Sequence, residues 1–151
     1  MFDTVVIATD GSESAARAVA VALDLAKRFD ATVHALYVLD EGDIEGSPEE
    51  VSDDLRNALT QTGEEALDAI TGRADRDVVT AVREGDPATE IIDYVTEVDA
   101  DVIATGTRGR HGEHSFLLGS VAEAIVRRCP VPVLTVRQLD GDEEPPPGVR
   151  P

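Results

Sequence analysis

The chain has 151 residues, enough for one domain whose core withdraws about 70% of the unfolded surface from water. Thirteen basic against 31 acidic side chains give a formal net charge of -18, a surface that repels nucleic acid and anionic lipid. No apolar run is long enough to span a membrane, the N-terminus MFDTVVIATDGSES lacks the basic start of a secretory signal, and the lone Cys129 excludes an intrachain disulfide; the sequence therefore reads as cytoplasmic, with neither membrane nor nucleic acid as a partner.

The elements follow in alternation. Thr4 to Thr9, TVVIAT, is a short β-branched run that reads as a buried strand. DGSES marks a turn and a helix start, and Ala15, Val19, Ala22, Ala26 and Phe29 share one face of the helix that follows. Thr32 to Leu39 reads as a second strand, and DEGDIEG as an acidic loop. In SPEE, Ser47 is placed to cap the next helix, Pro48 suits its first position and Glu50 completes a capping box. That helix is expected to run to about Thr71, to stop at Gly72, and to turn Leu55, Leu59, Leu67 and Ile70 inward. Val78 to Arg83 is a third strand, and GDPATE a second helix start with Asp86 as cap and Pro87 in the first turn. Ile91, Ile92, Val95 and Val98 form that helix's buried face. Asp101 to Thr105 is a fourth strand, Ser120 to Arg128 a helix ended by Pro130, and Val131 to Val136 a fifth strand. Residues 1–139 are expected to form the domain, and 140–151, acidic and proline-rich, a disordered tail. Strands alternating with helices imply an α/β fold, an open parallel sheet with helices on both faces.

Ligands of such sheets bind beyond the carboxyl ends of strands, where the strand order reverses. Two loops stand at such ends: ATDGS, from Ala8 to Ser12, and GTRGRHGEHSFLLGS, from Gly106 to Ser120. Glycines let backbone approach a ligand closely. Gly119 and Ser120 sit at a helix start, where free N–H groups and the helix dipole suit a phosphate, and Arg108 and Arg110 are placed to add bidentate contacts. The same glycine-serine pair also serves as a plain helix cap, and it is neither a Walker motif nor a dinucleotide fingerprint.

The pattern Gly106-x-x-Gly109, nine further residues, then Gly119-Ser120 resembles the nucleotide-binding signature of the universal stress protein family. ATDGSESA, EGDPATEII, DVIATGTRGRHG and LLGSVAEAIVRRCPVPVLTVR match it in order, so that the resemblance covers residues 4–137. It implies a Rossmann-like sheet of five strands in the order 3-2-1-4-5 and membership of the ATP-binding subgroup. By that resemblance, Ala8 and Thr9 line the pocket, Asp10 meets the ribose or adenine side, and backbone near Val38 meets the adenine. Gly106, Arg108 and Gly109 wrap ribose and phosphates, while Gly119, Ser120 and Val121 hold the phosphate tail. It further implies ATP or another adenine nucleotide as ligand, an accompanying Mg2+ or Mn2+, and a homodimer through the Val131–Val136 strand. The expected function is that of a nucleotide-dependent regulatory stress-response protein. A slow ATPase or nucleotidyl-transfer enzyme on the same fold is the alternative, and an assembly module without nucleotide the third reading. No residue is assigned a catalytic role.

His34 alternates with apolar neighbours on a strand and reads as structural, and Cys129 as a buried thiol. His111 and His114 beside Glu113 lack a third close ligand for zinc. DEGDIEG lacks the glycine position and terminal glutamate of a calcium loop. The many acids and the single lysine, Lys27, suit molar salt, where the Debye length is about 3 Å, and point to a halophilic source. A nucleotide's own charge opposes binding to such a chain, and Arg108, Arg110 and Arg127 are the local positives expected to offset it.

Overall fold

The computed structural model describes residues 2–12, 15–107 and 118–139. In chain order they form β1 (Thr4–Thr9), α1 (Ala16–Phe29), β2 (Thr32–Asp40), α2 (Glu41–Glu45), α3 (Glu49–Arg73), β3 (Val78–Gly85), α4 (Pro87–Glu97), β4 (Val102–Gly106), α5 (Ser120–Arg128) and β5 (Val133–Val136). The strands make one parallel sheet in the order β3-β2-β1-β4-β5, the order the family resemblance implied.

The two-residue period of the strands divides the core into two layers. Val5, Ile7, Val33, Ala35, Tyr37, Val102 and Ala104 face Val19, Ala22 and Ala26 of α1 and Leu67 and Ile70 of α3. Val6, Ala8, Leu36 and Ile103 face Ala88, Ile91, Tyr94 and Val95 of α4 and Ile125 of α5. Each central strand is thus buried on both sides, which is why its sequence reads as a continuous apolar run. The amino ends of β1 and β4 are tied by Asp101, whose Oδ2 accepts from the N–H groups of Asp3 (2.8 Å) and Thr4 (2.9 Å). Its own N–H donates to Thr4 O at 2.9 Å.

Several local expectations give way to tertiary contacts. DEGDIEG is the short helix α2 rather than a loop; Asp40 Oδ1 accepts from Gly42 N–H at 2.9 Å, and Ile44 is buried in the first layer. Ser47 does not cap α3. Its hydroxyl donates to Ile44 O at 2.6 Å, and α3 begins after Pro48 with no side-chain cap. Gly72 lies inside α3, which continues to Arg73. Phe29 is exposed and meets Phe2 edge-on, with ring centroids 5.1 Å apart, instead of joining the core face of α1. β3 extends to Gly85 and β4 to Gly106. β5 begins at Val133, not Val131, because Pro130 and Pro132 bring no N–H to the ladder; Pro132 contributes only its carbonyl, which accepts from Ile103 N–H at 3.1 Å. Asp86 caps α4 as expected, accepting from Thr89 N–H at 3.1 Å and from its hydroxyl at 2.8 Å. His34 is structural: its Nδ1 lies 2.8 Å from the hydroxyl of the buried Tyr94. Cys129 is partly buried against the second layer. Residues 140–151 lie outside the described residues.

Candidate functional site

The chain leaves β1 toward β2 and leaves β4 toward β5, in opposite directions across the sheet. Right-handed crossovers then put α1 on one face and α5 on the other, and the chain parts at the carboxyl ends of β1 and β4. The strand register records that parting. Pairing of β1 with β4 ends at Ile7 opposite Ala104, although β1 runs on to Thr9 and β4 to Gly106. On the outer sides the ladders continue, to Thr9 opposite Tyr37 and to Gly106 opposite Val136. The split is confined to the point where the strand order reverses.

One wall of the split is the end of β1. Ala8 is buried in the second layer, and Thr9 Oγ1 accepts from Gly11 N–H at 3.2 Å. Asp10 Oδ1 accepts from both the N–H (2.9 Å) and the hydroxyl (2.5 Å) of Ser12, a local turn that fixes the carboxylate at the strand end. Gly11 takes φ 82°, a left-handed value that favours glycine, and its backbone lies close over Thr62 of α3. Val38 belongs to β2, opposite Arg83, and packs against the second layer.

The other wall is β4 and the start of α5. Gly106 is the buried last residue of β4. Thr107 O then accepts from Gly119 N–H at 2.6 Å, bringing the strand end and the helix start together. The sequence reading gave the Gly119 amide to a phosphate; here Thr107 holds it. Gly119 O accepts the first bond of α5, from Glu123 N–H at 2.9 Å. The amides of Ser120, Val121 and Ala122 precede that bond and have no partner within the helix. Gly119 supplies no side-chain cap. Ser120 and Val121 therefore bring amide donors without an acceptor among the described residues, and the positive end of the helix dipole, to the split.

Arg108, Gly109, Arg110, His111, Glu113 and His114 lie outside the described residues. Arg127 does not serve the split: it sits in the last turn of α5, the end remote from Gly119, and pairs with Glu123 at 2.9 Å. Two features escaped the sequence reading. Thr107 Oγ1 is fully buried with no hydrogen-bond partner among the described residues. Gly63 lies against the ring of Tyr37, which in turn lies beneath Gly11. The only sequence signal for the second was an isolated glycine inside a helical pattern, a choice that costs about 1 kcal/mol relative to alanine unless packing requires it. Among the described residues no three His, Cys, Asp or Glu side chains gather as metal ligands, and no helix is long and apolar enough to cross a membrane.

Comparison with known proteins settles the family. The model of the universal stress protein family matches residues 1–137. The chain belongs to the universal stress protein family. Universal stress protein MJ0531 of Methanocaldococcus jannaschii is 38% identical over 142 residues, covering 91% of this chain and 84% of its own length. Among solved structures, hypothetical protein MJ0577 superposes with a TM-score of 0.78 at 28% identity, over 93% of this chain and 99% of its own. A universal stress protein solved in complex with cAMP superposes with a TM-score of 0.67 at 27% identity, over 90% of this chain and 97% of its own.

Proposed function

We propose that this universal stress protein binds an adenine nucleotide, ATP foremost, in the split between β1 and β4, and that occupancy serves regulation rather than turnover. The observation that carries the reading is the parting of β1 from β4 beyond Ile7 and Ala104, with the uncapped start of α5 at its mouth. The related universal stress protein in complex with cAMP supports the ligand class. In this reading the phosphates lie on the amides of Ser120 and Val121, with Gly106, Arg108 and Gly109 around them and Gly119 allowing their approach. Ala8, Thr9 and Asp10 line the ribose side, and backbone at Val38 meets the base. A divalent cation, Mg2+ or Mn2+, offsets the charge of the phosphates against a chain of -18. The half-buried Val133, Leu134 and Thr135 of edge strand β5 support a second copy of the chain as partner there.

Calorimetric titration of Mg-ATP into the wild type and Gly119→Val, in molar KCl, tests the reading. The wild type binds one nucleotide per chain, and the variant loses it because the valine side chain fills the approach to the α5 amides. A wild type that binds neither ATP, AMP nor cAMP refutes the reading. Multiple turnovers per bound nucleotide would show an ATPase instead.

A further inference from the structure

The end of β4 offers one more group to a ligand. Thr107 Oγ1 is fully buried and has no hydrogen-bond partner among the described residues. A buried hydroxyl without a partner is unfavourable, and native chains pair nearly all such groups. The carbonyl of the same residue holds Gly119 N–H at 2.6 Å, so the hydroxyl stands next to the start of α5. There the amides of Ser120, Val121 and Ala122 have no acceptor within the helix. A hydroxyl donor and a set of amide donors thus share one place and lack the same thing, an acceptor. A phosphate group is all acceptor and anionic, and satisfies both at once.

We infer that Thr107 is a phosphate-positioning residue, its hydroxyl donating to the nucleotide phosphate that lies on the α5 amides. The inference rests on the proposed nucleotide site and adds a residue to it. The contact belongs to phosphate, not to base or ribose, so Thr107 raises affinity for AMP and ATP and leaves that for adenosine unchanged.

Thr107→Val keeps the shape of the side chain and removes the hydroxyl; Thr107→Ser keeps the hydroxyl. Calorimetric titration of ATP, AMP and adenosine into wild type and both variants reads the contact. Thr107→Val is expected to weaken ATP and AMP by about 10-fold or more, the scale of one hydrogen bond to a charged group. Its adenosine affinity stays at the wild-type value, and Thr107→Ser stays near wild type for all three. The melting temperature of Thr107→Val without nucleotide is unchanged or higher, because a hydroxyl without a partner has been removed. Should valine lower that temperature by crowding, Thr107→Ala replaces it in the same titrations. Equal ATP affinity in wild type and the hydroxyl-free variant overturns the inference and leaves the nucleotide site standing. An equal loss for adenosine also overturns it, as packing rather than phosphate contact. A wild type that binds none of the three overturns the site and the inference together.

Discussion

Replacing Gly63 with alanine tests what holds the Asp10 turn in place. Gly63 is buried in α3, and a Cβ built there would lie 2.5 Å from Tyr37 Cε1 and closer still to Cδ1. The ring has nowhere to go: Tyr37 is 1% exposed and lies in the first core layer. Its Cε2 is 3.7 Å from where a Cβ on Gly11 would be, so the ring also supports the turn that carries Asp10. Alanine gains about 1 kcal/mol of helix propensity over glycine. Overpacking a filled core costs about 1–3 kcal/mol, and more where neither partner can yield. Because the buried ring cannot yield, the cost falls at or above the top of that range, and the net expectation is a loss of about 2 kcal/mol or more, which in a domain of this size lowers the melting temperature by roughly 4–8 °C or more. Thermal unfolding followed by circular dichroism in molar KCl measures it. Tyr37→Leu in the Gly63→Ala background should recover part of the loss, with a coupling of about 1 kcal/mol in the double-mutant cycle. A Gly63→Ala protein as stable as the wild type, or more so, would refute the packing account, because propensity alone would then decide.

The remaining expectations are simpler. Asp101→Ala removes the acceptor of the exposed Asp3 and part-buried Thr4 N–H groups and should cost about 1 kcal/mol, with Asp101→Asn recovering part; hydrogen exchange at the Thr4 amide should accelerate in the alanine variant and not elsewhere in β1. Asp86→Ala should cost about 1 kcal/mol through loss of the α4 cap. The Thr89 side-chain and backbone bonds hold the Asp86 carboxyl below its ordinary 3.8, so its contribution is present at neutral pH and lost as pH falls through the lower folded value. Melts of wild type and Asp86→Ala should therefore converge in acid. Burial lowers the pKa of His34, so the unfolded chain takes up a proton before the folded one does; stability should fall as pH drops below 6.5, and His34→Gln should flatten that slope. A chain of net charge -18 should melt at a higher temperature in molar KCl than in dilute buffer, and equal melting in both would contradict a halophilic design.

Much of this architecture was legible along the chain because its signals are local. The β-branched run Thr4–Thr9, the Asp86-Pro87 start of α4 and the Ser120–Arg128 helix all appear where the sequence placed them. Each depends on periodicity or capping among residues close in sequence. The glycine pattern from Gly106 to Gly119 likewise spans the β4–α5 connection. Local signals failed where a distant partner outweighed them. Phe29 meets Phe2 instead of the core face of its helix, and the burial of Ile44 in the first core layer makes a helix of an acidic stretch. Arg127, by contrast, could have been set aside by counting: it stands eight residues beyond Gly119 on the Ser120–Arg128 helix, about 12 Å along its axis at 1.5 Å per residue.

The sequence by itself determined the alternation of strands and helices, the buried faces and the residue types available to a ligand, since a period of two or 3.6 residues needs no knowledge of what lies opposite. Only the tertiary structure decided that β1 and β4 part after Ile7 and Ala104, that Gly119 gives its amide to Thr107, and that Tyr37 beneath Gly63 supports the Asp10 turn. Those contacts join residues far apart in the chain, and whether two such groups meet depends on how every layer between them packs.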